Sequence, residues 1–262
     1  KLNNSTFKYQ NNDDSDPENI ILDYLSQEVE NKLRVENFYR YNGWTFNMGA
    51  GAEKIYYSNN TYNKIATPFG VFEREFDTQM DYERYALFGQ GSKKLMEERL
   101  ILSAGFRMDA ANYNDEMKKI YEQFSPRFSL SYALNERVSI NFNTGRYFQL
   151  PPNTVLGYKN NEGELVNQDR IDYIKSDHLV GGVEWNTKTN SRITIEGFYK
   201  KYSDYPFLLT DSITLANLGS DFGVIGNEPA ESSAEGRTYG LEFLFQQKLY
   251  KGFYGILSYT LL

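Results

Sequence analysis

The chain has no cysteine among its 262 residues, so a disulfide framework and a thiolate metal site are both excluded. It has one histidine, His178, which leaves little for imidazole-based metal or acid–base chemistry. Prolines number only 7, two of them adjacent at Pro151-Pro152, where a long loop is expected to open. No run approaches the roughly 18 apolar residues of a membrane helix, and mean hydropathy is −0.62. A net charge of −7 argues against binding a phosphate backbone, so no nucleic-acid partner is expected. The chain opens at Lys1 with neither an initiator Met nor a charged-then-apolar leader, the expectation for a piece of a longer protein.

Aromatic residues are abundant instead. There are 22 Tyr and 18 Phe, a bias that favours strands and membrane-interface belts. The clearest stretch runs from Tyr121 to Leu150. Phe124, Phe128, Leu130, Tyr132 and Leu134 alternate with Ser125, Arg127, Ser129, Ser131 and Ala133. After a polar turn at Asn135-Glu136, Val138, Ile140 and Phe142 alternate with Ser139, Asn141 and Asn143. A period of two puts one apolar and one polar face on each strand. Lipid on one side and a watery lumen on the other would produce this pattern, and so would a half-buried strand of a soluble sheet.

The same rhythm predicts strands over 32–41, 44–57, 81–94, 97–113, 173–185, 192–202, 236–249 and 252–261. Asn42-Gly43 is a strong two-residue hairpin signal. Residues 1–30 read as a polar surface loop with an acidic cluster at 11–18 and a short helical turn at 18–30. Residues 58–78, 114–120, 151–171 and 204–233 read as loops. The expected fold is all-β: an antiparallel up-and-down meander of about ten long strands, one partial barrel over 1–262 with strands and long extracellular loops from 31. Connections alternate short and long, as in outer-membrane barrels, whose turns are short on one side and long on the other.

In order along the chain stand Tyr85-Ala86-Leu87-Phe88-Gly89-Gln90, Leu102 to Asp109, Phe124-Ser125-Pro126-Arg127, Gly145 to Pro151, Ser176 to Glu184, Gly197-Phe198-Tyr199-Lys200 and Gly236 to Glu242. Over roughly residues 80–262 these resemble the C-terminal barrel portion of TonB-dependent outer-membrane receptors. The resemblance implies a barrel of about 22 strands with a plugged lumen, in the bacterial outer membrane. It implies import of a scarce small-molecule nutrient, outer-membrane lipid around the barrel, and a TonB-type partner acting through a plug. No plug or TonB-contacting segment is legible, so this stretch alone is expected not to transport. A passive porin-like barrel and a soluble β-rich binding module are the alternatives.

Alternation assigns Arg107, Arg127, Glu184, Glu196, Lys200 and Glu242 to the polar face, where they would line a lumen and satisfy one another. Tyr56, Tyr57, Tyr62 and Tyr158 are the loop residues placed to grip a ligand by stacking. Glu184 with Glu196 is a conceivable carboxylate pair, and His178 a conceivable base, but neither has the partners that catalysis requires. No enzyme, cofactor or metal site is expected. Arg146 falls on the apolar face, so a bulge or a place near the outer rim is expected for it.

Overall fold

In a computed structural model the described residues are 2–10, 19–67, 70–160, 162–218 and 228–262; for 2–10, 65–67, 72 and 74 only the backbone is described. They form a single antiparallel sheet whose strands follow one another in chain order. The strands are β1 (Leu2–Gln10), β2 (Ile20–Tyr41), β3 (Trp44–Thr67), β4 (Gly70–Leu95), β5 (Leu100–Ala111), β6 (Phe124–Ala133) and β7 (Val138–Gln149). A one-turn helix α1 (Asn153–Leu156) precedes β8 (Ile174–Asn186), β9 (Ser191–Leu208), the two-residue β10 (Ile213–Thr214), β11 (Ala230–Tyr250) and β12 (Phe253–Leu261). The path runs from β1 to β12 with β10 attached beside β9, and among the described residues the two edges do not meet. No described helix is long and apolar enough to cross a membrane, which says nothing of crossing by strands.

Turn chemistry sets the register at the short ends. Asn42 and Gly43 both adopt positive φ (47° and 76°), as a two-residue hairpin following the sheet twist requires, and Tyr41 pairs with Trp44. Lys251 and Gly252 do the same, with Tyr250 opposite Phe253, one residue later than the Tyr250-Lys251 turn of the sequence reading. At the β6–β7 turn the Asn135 side-chain oxygen accepts from the backbone N–H of Arg137 (2.9 Å) and Val138 (3.0 Å).

Cross-strand partners share a face, so the register fixes the two surfaces. One face carries Val35, Met48, Leu87, Phe106, Phe128, Ile140, Val183, Ile195, Phe243 and Tyr259. Among the described residues no second sheet covers it; Val35, Leu87, Ile140, Val183, Ile195 and Tyr259 are all solvent-exposed in the isolated chain. A soluble sandwich would need these side chains packed on one another, and among the described residues they are not.

Three stretches differ from the sequence reading; one is the loop expected at 204–233, into which β9 runs to Leu208, where β10 sits at Ile213–Thr214 and from which β11 starts at Ala230. Within the polar loop expected at 1–30, the described residues 2–10 and 20–30 are strand, and no helical turn forms over 20–30: β1 pairs with the first half of β2. Residues 58–67 and 70–78 are strand as well, since β3 and β4 pair without a break from Trp44–Lys93 to Thr67–Gly70. Neither of these last two stretches keeps a sustained apolar–polar alternation in sequence, so the period-of-two reading passes over them, yet backbone pairing continues. The acidic cluster at 11–18 lies outside the described residues.

Candidate functional site

The other face is polar and is covered at its loop end. There Ile55, Tyr57, Met80 and Tyr82 of β3 and β4 meet Tyr113, Met117, Leu150, Val155, Leu156, Ile171 and Tyr173 in one buried cluster, which Leu208 and Ala230 complete. The connections after β5, β7 and β10 therefore fold inward and form a cap.

Buried amides pin it. Asn167, fully buried, donates to the carbonyls of Val155 (2.8 Å) and Glu228 (3.0 Å) and accepts from the Ala230 N–H (2.8 Å). Asn114 donates to the carbonyls of Gln168 and Ile171 (both 2.8 Å) and accepts from the Met117 N–H. The Tyr113 hydroxyl donates to the Leu156 carbonyl (2.7 Å). The Tyr82 hydroxyl donates to Asn153, which in turn donates to Glu28 (2.7 Å). Burial raises the Tyr82 hydroxyl to about 12, so it stays a donor at any physiological pH.

Below the cap, β2 to β7 present a column of guanidinium groups on the polar face. Arg84 is paired with Glu53, which also meets Lys32. Arg107 chelates Asp109 on its own strand, with Nε donating at 2.8 Å. Arg34 lies 4.3 Å from the Phe88 ring centroid and donates to Glu36 at 3.0 Å. Phe88 has room because Gly49 sits beneath it; a Cβ there would come within 2.4 Å of the ring and 2.5 Å of the Val35 carbonyl. Arg127 lies 4.5 Å over the Tyr147 ring, and among the described residues no carboxylate comes within 4 Å of it. Arg107, Arg127, Phe88 and Tyr147 line one open cleft of about 380 Å³, and Arg84, Arg107 and Asp109 a second of about 710 Å³ beneath the cap.

The sequence candidates fall as follows. Arg107, Arg127, Glu184, Glu196, Lys200 and Glu242 share this face by register. They do not all satisfy one another. Glu196 stands directly opposite Glu242, a like-charge pair, and Glu184 has Arg192 only at 3.9 Å. His178 shares a 2.6 Å hydrogen bond with Ser176 and packs 4.6 Å from the Tyr147 ring. Lys200 stands opposite it. Tyr56 and Tyr62 are not in a loop: both lie in β3, on the face opposite Tyr57, because parity carries through the unbroken strand. They therefore point away from the guanidinium column. Tyr158 is in the cap and stacks on Phe76 (6.0 Å, 8° between planes). Tyr57, also expected in a loop, lies on the inner face of β3; Tyr24, Tyr82 and Tyr147 are on that face as well, as parity counted from the apolar band places them. Arg146 needs no bulge. It sits just past the apolar rows and donates to Asp177 at 2.8 and 3.1 Å.

A family model described as TonB dependent receptor-like, beta-barrel, matches residues 1–262. No curated protein matches. Among solved structures, the chain is similar to P. aeruginosa FpvA bound to heterologous pyoverdines (TM-score 0.60, 14% identity, 99% of this chain and 37% of that one). It is similar to the ferric-catecholate import receptor Fiu of E. coli K12 (TM-score 0.58, 12% identity, 99% and 42%). It is also similar to the copper transporter OprC (TM-score 0.59, 15% identity, 88% and 36%). At these identities the likeness is one of fold, and the chain spans about two fifths of the length of the structures it matches.

Proposed function

Because the chain belongs to the TonB-dependent receptor-like β-barrel family, whose members are outer-membrane proteins, we propose that it forms part of the wall of a receptor importing an anionic metal chelate. The apolar face then meets lipid and the polar face bounds the lumen. Energy comes from a TonB-type inner-membrane complex acting on a plug outside this stretch. The barrel supplies position and charge for transport and carries out no reaction.

The observation that supports the ligand class is the guanidinium column of Arg34, Arg84, Arg107 and Arg127 beneath the cap. Three of these already answer carboxylates; Arg127 is backed by an aromatic ring and has its donors available. Guanidinium donors match carboxylate and catecholate oxygens in fork geometry. Removing a charge-assisted hydrogen bond costs about 1.5–3 kcal/mol, so Arg127→Gln should lower chelate uptake at limiting concentration by about tenfold or more.

The experiment is uptake of radiolabelled metal, presented as a panel of anionic chelates, by cells carrying the receptor. Uptake that needs both the proton-motive force and a TonB-type protein, and falls in Arg127→Gln, supports the reading. Uptake indifferent to the energised partner, with ion conductance by the purified receptor, would establish a passive pore instead.

A further inference from the structure

The apolar face has outward glycines of two kinds. Gly89 and Gly91 are roofed by rings: a Cβ at these positions would come 3.0 Å from Phe106 and 3.3 Å from Phe46. Gly181 and Gly197 are not. They stand directly opposite each other across β8 and β9. A Cβ at Gly181 would meet nothing closer than 3.9 Å, and at Gly197 nothing closer than Leu241 at 3.5 Å. With Phe142, Leu179, Tyr199 and Leu241 they form an apolar cleft of about 610 Å³ floored by bare backbone.

Four residues along each strand toward the loops, the same face turns to charge. Phe142 leads to Arg146, Gly181 to Asp177, Gly197 to Lys201 and Leu241 to Arg237. At about 3.3 Å per residue this row lies about 13 Å from the glycines. Tyr199 and Tyr239, a cross-strand pair, stand between, where an aromatic belt meets the head groups. Arg146 is paired with Asp177, and Lys201 lies 3.6 Å from Glu235. Arg237 is exposed, and among the described residues no carboxylate lies within 4 Å of it. Three cations thus face two carboxylates.

We propose that this surface binds one anionic, phosphate-bearing lipid of the outer leaflet. Its phosphate engages Arg237 and Lys201, and one acyl chain runs past Tyr199 and Tyr239 into the Gly181–Gly197 cleft. The occupant is a lipid because the cleft lies midway between Trp185 at the turn end and the charged row, at a depth that only acyl chains reach. The excess cation selects an anionic head group. The inference rests on the apolar face meeting lipid, and is independent of what the receptor transports.

The test is native mass spectrometry of the receptor in detergent, titrated with phosphatidylglycerol or with phosphatidylcholine of the same acyl chains. Tighter binding of phosphatidylglycerol is expected. The double variant Arg237→Gln/Lys201→Gln should weaken it by about tenfold or more and abolish the preference, at about fivefold per cation. Gly181→Phe/Gly197→Phe, which fills the cleft at positions with ordinary backbone angles, should weaken both lipids. Arg137→Gln, at the β6–β7 turn, should change neither. Excess inorganic phosphate should not displace the lipid; if it does, the site is one for a free anion and the proposal fails. Equal binding of the two lipids by the unaltered receptor, or no change in the double variant, would also overturn it. Chelate uptake by the same variants is scored separately: its absence in the unaltered receptor would refute the transport reading and leave lipid binding standing.

Discussion

A charge moved step by step down one strand face should report the bilayer directly. On β11 the outward positions are Arg237, Tyr239 and Leu241, and Leu241 pairs with Gly197 on one side and Leu261 on the other. Leu241 and Tyr239 are 55% and 62% exposed in the isolated chain, so replacing either removes little protein packing. Arg237 to Leu241 is about 13 Å along the strand, hence about 10 Å in depth at a tilt of about 40°. An arginine on the lipid face costs about 2–4 kcal/mol at the midplane and about 0–1 near the interface. Leu241→Arg should therefore destabilise the folded receptor by about 2–4 kcal/mol, with Tyr239→Arg between this and zero. The control is Thr260→Arg, next to Leu261 but on the polar face opposite Glu242. It places the same charge at the same depth beside a carboxylate and should change stability by less than about 0.5 kcal/mol. The assay is reversible urea unfolding in lipid vesicles. Thr260→Arg costing as much as Leu241→Arg, or no gradient between 239 and 241, would refute the assignment of faces.

Three further outcomes follow from the cap and the lumen wall. Asn167→Ala strands the Val155 and Glu228 carbonyls and the Ala230 N–H, so the cap should lose about 2–3 kcal/mol of local stability; hydrogen exchange over 150–172 and 228–232 reads this, while the strands keep their protection. Burial first, then the nearby Glu116 and Asp204 charges, raises the Asp172 carboxyl above the ordinary aspartate value. A raised folded-state value means stability that is full below the unfolded pKa and lost as pH rises through the folded one. Cap protection should accordingly fall as pH rises from acid toward neutral, and Asp172→Asn should flatten that dependence. Gly49→Ala should displace Phe88 and unseat Arg34, costing about 1–3 kcal/mol of overpacking; a thermal melt unchanged from that of the unaltered receptor would contradict the close approach.

The strands that cross the apolar band were legible because lipid on one side and water on the other enforce a period of two. The β6–β7 hairpin, the Asn42-Gly43 turn and the placement of Arg127 on the polar face all follow from that period. The upper halves of β2, β3 and β4 escaped because residues such as Asn59, Thr61 and Gln79 stand where neither face meets lipid. Backbone pairing extends the sheet there, and its apolar residues, such as Phe76 and Met80, pack under the cap rather than in a regular alternation. Tyr56 and Tyr62 went astray for the same reason, since a residue thought to be in a loop has no parity. The cap was invisible: Asn167 and Asn114 act through carbonyls from 12 to 61 residues away, and no local pattern announces a contact of that range. The opposition of Glu196 and Glu242 likewise depends on the β9–β11 register, which passes over a long connection.

The most direct test of the central claim uses the absence of native cysteine. Single cysteines at Ile140, Val183 and Ile195 on the apolar face, and at Ser129, Asn141 and Thr194 on the polar face, would carry nitroxide labels in the receptor reconstituted into bilayers. Collision with oxygen and with a water-soluble nickel chelate would then be compared at each site. Oxygen-dominated relaxation is expected at 140, 183 and 195, and nickel-dominated relaxation at 129, 141 and 194. Nickel access equal on both faces, or the reverse pattern, would contradict a wall with lipid outside and a lumen within.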